Sequence, residues 1–197
     1  EGRTNAAALA RSVFGGQVGV LGPAALGRQL QNGFHGAIGD TKNQGWHHQL
    51  SNQVIFQVQM GRTWRLPLGT IGGGNGVSFD VLPSAEAQAG DYRIAGTIGN
   101  MFRIGQGLDS DFGLPVIGAG TGGTDASKAT RPVPWYLFGG VTGTAVGYDA
   151  TLQGNTLRNH SPHVNKKWDV GEIRAGVAVM FYGLRGSYSQ VWQAQEF

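Results

Sequence analysis

Segments 53–60, 77–88, 91–104 and 168–181 alternate apolar and polar residues with a period of two. In the first, Val54, Phe56, Val58 and Met60 take one side and Gln53, Gln57 and Gln59 the other, with Ile55 an exception. In the second, Val77, Phe79, Val81, Ala85 and Ala87 oppose Ser78, Asp80, Ser84, Glu86 and Gln88. In the third, Tyr92, Ile94, Ile98, Phe102 and Ile104 oppose Arg93, Thr97 and Arg103. In the fourth, Ile173, Ala175, Val177, Val179 and Phe181 oppose Glu172 and Arg174. Successive side chains of a strand point to opposite faces, so this period predicts strands. Weaker alternation over 10–21, 135–149 and 184–195 brings the expectation to about seven strands. Globular strands average about 5–6 residues. Longer ones, with one apolar face and one face carrying both charge signs, fit an antiparallel transmembrane β-barrel with lipid outside and water inside. Trp64, Tyr92, Trp135, Trp168, Tyr182 and Trp192 stand near strand ends, as interfacial girdles require. A soluble sandwich or lipocalin-like barrel is the alternative, and there the apolar face would be the core.

Composition agrees. Gly supplies 35 of 197 residues and charged residues only 14 %, while aromatics recur throughout. That suits strands with many tight turns, not collagen or disorder. There is no Cys, hence no disulfide framework and no thiolate site. No run of about 18 apolar residues exists to make a transmembrane helix. The net charge of +3 is scattered. A basic stripe of the kind nucleic acid needs is absent beyond Lys166 and Lys167.

Connection lengths predict sidedness. Tyr182-Gly183 is a near-minimal turn, and short turns lie on the periplasmic side of such barrels. Segment 150–167 is then extracellular, and by counting back so is 22–48. The long Gly-rich link 106–133 falls on the periplasmic side, where turns are usually short. Seven strands ending at the outer rim do not close a barrel, which needs an even number. The expectation is therefore one barrel domain over 1–197, incomplete at both ends. Its inward charges Asp80, Glu86, Arg93, Arg103, Glu172 and Arg174 are expected to bridge one another across a plugged lumen.

One segment breaks the β pattern. In "GPAALGRQLQNGFHGAIGD" (22–40), Pro23 suits the first turn of a helix, and Gly36, Gly39 and Asp40 suit its end. Leu26, Leu30, Phe34 and Ile38 wind down one flank, which can rest on the barrel wall or on lipid tails. Ala24, Arg28, Gln31 and His35 fall within about 60° of one another on a different face. A histidine there is a candidate general base near neutral pH, or simply a surface histidine on a loop helix. His47, His48, His160 and His163 lack a partner set with metal-ligand spacing. The runs "GTIGGGNG" and "GAGTGGTD" do not sit between a strand and a helix, so they read as turns or loops. No G-x-S-x-G nucleophile elbow occurs.

Three motifs coincide. They are the Gly-Pro before the helix with Gln31-x-x-x-His35, the Gly45-Trp46-x-x-Gln49-Leu50 that opens the next strand, and the Leu152-x-Gly154-Asn155-Thr156 loop after Asp149. Together with the final hairpin, they make the chain resemble the outer-membrane lipid A 3-O-deacylase family, least over 67–132. The resemblance implies a twelve-stranded barrel in the outer membrane of a Gram-negative bacterium. It implies an active site between the barrel wall and a helix of an extracellular loop. It further implies a calcium-dependent ester hydrolase that removes the 3′-linked acyloxyacyl chain of lipid A in lipopolysaccharide. His35 matches the family's general base and Gln31 the glutamine one turn before it. Arg28, on the same face, is our addition as a binder of phosphate or sugar oxygens. Ca²⁺ would stabilise the oxyanion, with ligands expected outside this chain, because the family's Asn-Asp pair would precede residue 1. The alternative is a non-catalytic barrel of the same fold, either a pore or a subunit embedded with partner proteins in an outer-membrane assembly.

Overall fold

The computed structural model describes residues 9–73, 76–113, 132–156, 161–182 and 184–197. Strands β1 (Ala10–Leu21), β2 (Gln53–Trp64), β3 (Leu66–Ile71), β4 (Val77–Gly90), β5 (Arg93–Gln106), β6 (Trp135–Asp149), β7 (Asp169–Phe181) and β8 (Leu184–Gln193) form one sheet. Its order is β1-β2-β4-β5-β6-β7-β8, antiparallel throughout, with β3 paired to β4. The sheet curls into a half-barrel. Among the described residues no helix is long and apolar enough to cross a membrane. Two helices, α1 (Gly27–Ala37) and α2 (Ala150–Gln153), sit in connections at one end.

All seven expected strands are present. The reading stopped one of them too early. β2 runs on to Trp64, and β3 continues along the same neighbour, from Leu66 opposite Val81 to Ile71 opposite Val77. The register shift between Pro67 and Gly69 absorbs both residues as a bulge, and 69–71, the start of the run "GTIGGGNG" expected to be a turn or loop, belongs to β3. β2 and β3 therefore occupy one position in the sheet.

Burial follows the barrel reading and not the sandwich. On β2, Phe56 and Val58 are 60 % and 61 % exposed, while Gln57 and Gln59 are 4 % and 5 % exposed. Ile94, Ile98 and Phe102 on β5 and Ile173, Val179 and Phe181 on β7 also face out. In water, each such side chain would forgo about 1.5–3 kcal/mol of burial. Lipid removes that cost. Tyr92, Trp168 and Trp192 lie toward the helix-bearing end of the sheet, and Trp64, Trp135 and Tyr182 toward the other.

The core occupies the end opposite the helices. Leu108, Tyr136, Phe138, Ala178 and Met180 form an apolar cluster with Met101 against it. Beside it lies a buried ion network. Arg103, wholly buried, donates Nε to Asp80 Oδ1 at 2.9 Å, Nη2 to Asp80 Oδ2 at 2.6 Å and Nη1 to Asp111 Oδ1 at 2.5 Å. Tyr136 Oη donates to Asp111 Oδ2 at 3.0 Å, and Arg185 Nη1 stands 3.3 Å from the same oxygen. Residues 107–113, the start of the long Gly-rich link, thus fold inward; 114–131 lie outside the described residues.

The inward charges are paired, but not across the lumen. Asp80 and Arg103 are register partners on β4 and β5, and Arg93 and Asp149 are register partners on β5 and β6. Glu172 and Arg174 pair along β7, and Glu86 takes Gln88 along β4. Apart from Glu86, each of these charges has a counterion on its own or the adjacent strand, where sites are nearest on the same sheet face, and Arg103 also reaches Asp111 of the inward-folded link, which Arg185 on β8 shares.

Candidate active site on the helix of the first connection

The connection from β1 to β2 is built on Gly22, whose φ of 84° and ψ of −162° belong to a region open essentially only to glycine. A Cβ there would stand 2.6 Å from the Ser51 carbonyl carbon. The outgoing and returning chain therefore touch at the base of the loop. Ala24 N donates to Asn52 Oδ1 at 2.7 Å and closes the neck.

The helix differs from the expected one at its start. Pro23–Ala25 form a separate 3-10 turn, and Leu26 adopts a left-handed conformation (φ 59°) before α1 begins at Gly27. Ala24 is thereby removed from the face that carries Arg28, Gln31 and His35. Proline starts a turn well at Pro23, but the reversal at Leu26 gives α1 a new axis. Trp46, from the Gly-Trp motif, lays its ring on Gly27, which has no side chain to obstruct it.

Arg28, Gln31 and His35 remain on one arc of α1, at successive spacings of three and four residues. Gln31 and His35 are half-buried and Arg28 is exposed. Segment 40–43 wraps over this arc. Asn43 N donates to Asn32 Oδ1 at 3.0 Å, and Asn32 Nδ2 donates to Asn43 O at 3.4 Å. Thr41 N donates to Asp40 Oδ1 at 2.7 Å. The wrap places the Thr41 carbonyl 2.8 Å from His35 Nδ1 and Asp40 Oδ2 3.7 Å from the same nitrogen. A carbonyl oxygen only accepts, so Nδ1 carries the proton. Nε2 is then left with a free lone pair, on a side chain that is 21 % exposed.

Sequence reasoning missed Asp40 and Thr41 as partners of His35. Asp40 was read only as part of the helix end, although its place five residues after His35 was a usable signal. It also gave the Leu152–Thr156 motif no physical task. Asn155 donates Nδ2 to Ser51 O at 2.9 Å and to Gln53 Oε1 at 3.1 Å, and accepts from Ser51 N at 3.1 Å. Thr156 Oγ1 donates to Asp91 O at 2.7 Å, and Asp149 caps α2 through Thr151 N at 2.9 Å. The motif ties the β6–β7 connection to the base of the helix-bearing loop.

The other histidines form no site among the described residues. The His47 and His48 rings stand 3.9 Å apart, and His47 Nδ1 faces Gln44 O at 3.0 Å. His163 Nδ1 faces Ser161 O; His160 lies outside the described residues, as does "GAGTGGTD". Gly72 and Gly73, from "GTIGGGNG", turn the chain between β3 and β4 with positive φ. No group of three or more His, Cys, Asp and Glu that could hold a metal occurs among the described residues. Ca²⁺ takes about 6–8 oxygen ligands. Near His35 the chain offers the Asp40 carboxylate and one carbonyl, and Asp40 already accepts from Thr41. The described residues do not fit a calcium site.

A family model described as "Outer membrane protein LpxR" matches residues 4–197. The solved structure of LpxR from Salmonella typhimurium is similar at a TM-score of 0.81 and 24 % identity. The match covers 96 % of this chain and 62 % of that one, so the chain spans less than two thirds of its solved relative. At that identity the likeness speaks for the fold alone. None of the curated proteins matches.

Proposed function

Because the chain belongs to the outer membrane protein LpxR family, and so to the bacterial outer membrane, we propose that it is an ester hydrolase acting on lipid A in the outer leaflet. The bond cleaved is the ester that attaches the 3′-linked acyloxyacyl chain. The observation that carries the reading is the 2.8 Å contact between His35 Nδ1 and the Thr41 carbonyl. It fixes the tautomer that a general base needs.

In this reading, His35 Nε2 removes a proton from water as the water oxygen attacks the ester carbonyl carbon. The tetrahedral intermediate then expels the sugar oxygen, which takes the proton back from the imidazolium. The products are a free sugar hydroxyl and the released acid. Asp40 Oδ2 stands 3.7 Å from Nδ1, on the side away from the attacking water. Gln31, one turn before His35, orients the water or the carbonyl through its amide. Arg28 binds a phosphate or sugar oxygen of the headgroup. Calcium stays part of the proposal on the family resemblance alone, with ligands outside the described residues, and no step here is assigned to it.

A water-filled pore is not favoured. Arg103, Asp80, Asp111 and Tyr136 form a hydrogen-bonded, buried network at the end opposite α1, where a pore would be wet. The test of the esterase reading is mass spectrometry of lipid A from cells carrying the protein or its His35→Ala variant. Loss of the 3′-linked acyl mass with the protein and its retention with the variant are expected. Continued deacylation by His35→Ala would remove His35 from the mechanism.

A further inference from the structure

Helix α1 is amphipathic in the reverse sense to a helix of a soluble protein. Gln31, Asn32 and His35, on its polar arc, are the half-buried residues, held under segment 40–43. The apolar flank is turned away from the protein. Leu30 is 79 % and Phe34 62 % exposed, and Leu26 and Ile38 at the two ends are exposed as well. A soluble protein places these faces the other way round. The same inversion holds across the half-barrel, where Gln57 is buried and Phe56 exposed on β2. There the apolar side faces hydrocarbon.

The helix stands in the connection above that lipid-facing surface. It follows β1 and precedes β2, whose register partners Val20 and Val54 are both exposed apolar residues at the strand ends beneath the loop. Charge agrees with a lipid neighbour. Arg28 is exposed, and Lys42 approaches the helix at Gly36. Cations on the side of the helix away from its apolar flank suit the phosphate level of an anionic leaflet. Gln29, Gly33 and Gly36 give the helix a third, exposed arc without large apolar side chains.

We infer that α1 lies in the plane of the outer leaflet, with Leu30 and Phe34 immersed among its acyl chains. The helix is then a membrane-seated element that sets the depth of the loop, and with it the depth of Gln31 and His35. The inference rests on the outer-membrane placement, not on the esterase reading, and either can fail without the other.

The chain has no cysteine, so single nitroxide labels can be placed without background. Leu30→Cys, Phe34→Cys and Gln29→Cys would be labelled and reconstituted into vesicles of phosphatidylcholine and phosphatidylglycerol. A heat-dependent shift of gel mobility would verify that each is folded. Electron paramagnetic resonance then reads access to oxygen, which concentrates in lipid, and to a water-soluble nickel chelate. Labels at 30 and 34 are expected to relax more with oxygen than with the chelate, and the label at 29 to show the opposite order. Chelate access at 30 and 34 equal to that at 29 would overturn the inference. So would immobilised spectra there, which mean protein packing, or dipolar broadening between labels, which means a second copy on the flank. These readings hold whether or not the protein cleaves an ester.

Discussion

Asn155 and Ser51, 104 residues apart in sequence, exchange two hydrogen bonds: Asn155 Nδ2 donates to Ser51 O at 2.9 Å and Ser51 N donates to Asn155 Oδ1 at 3.1 Å. The side-chain amide acts as a strand neighbour would, pairing one backbone donor and acceptor at the point where the helix-bearing loop returns to β2. Replacing Asn155 with Ala leaves both backbone groups without this partner, at about 1–3 kcal/mol. Because the sheet register lies below this contact, the barrel should survive. The expected result is faster amide exchange over 49–53 and reduced lipid A deacylation, with unchanged heat-dependent gel mobility. Unaltered exchange in that segment would show that the clamp is not needed.

Gly22 tests the same neck from the other side. Its φ of 84° with extended ψ is strained for any residue with a Cβ, and that Cβ would meet Ser51 and Asn52 backbone at 2.6–2.7 Å. Gly22→Ala should cost about 1–3 kcal/mol from the backbone conformation alone, and the clash adds to it. Lipid A deacylation should fall, while urea unfolding of the sheet followed by tryptophan fluorescence should move little. A variant with full activity would mean that the neck can open without disturbing His35.

Arg103 probes the far end. It satisfies two carboxylates, Asp80 and Asp111, in a site with no access to solvent. Arg103→Ala removes the shared counterion and leaves Asp80 with Arg65 at 3.8 Å and Asp111 with Arg185 at 3.3 Å, so the loss should not exceed the about 3–5 kcal/mol of breaking a buried pair outright. Arg103→Lys should recover only part of this, since an ammonium cannot make the two-pronged contact to Asp80. The midpoint of urea unfolding should fall in the order wild type, Lys, Ala. Equal midpoints would show that the network does not hold this end of the sheet together.

The strands were legible because alternation needs only side-chain polarity, and in a barrel wall every inward position differs in kind from its outward neighbours. Gln57 between Phe56 and Val58 is sufficient to orient β2. Breaks in the pattern were legible only in part. The run from Gly69 looks like a turn, and only the partner strand β4 reveals that its first residues, 69–71, lie in a continued strand. The face of α1 was readable from helical geometry, since Arg28, Gln31 and His35 obey the period of 3.6 residues. The left-handed Leu26 was not readable, because a non-glycine residue in that conformation carries no sequence signal. Nor was the contact of His35 with the Thr41 carbonyl, a backbone group that every residue possesses. The partners of the inward charges failed for a related reason. Sequence shows which face a charge occupies, but the register that sets Asp80 opposite Arg103 is a property of two strands together.

His35 and Asp40 separate catalysis from support. If His35 takes the proton of the attacking water, His35→Ala removes a step that general-base catalysis accelerates about 100- to 10,000-fold. Asp40 contributes differently. Its carboxylate is 58 % exposed and 3.7 Å from Nδ1, so the pair is a surface ion pair worth about 0–1 kcal/mol. Asp40→Asn should then slow turnover by no more than about fivefold, because 1.4 kcal/mol corresponds to a factor of ten. The tautomer survives in that variant, since the Thr41 carbonyl holds Nδ1. Rates with purified lipid A in mixed micelles, at saturating and limiting substrate, distinguish the cases. A loss at Asp40→Asn as large as at His35→Ala would mean that the carboxylate, and not the carbonyl, orients the base. A small loss at both would place the base elsewhere.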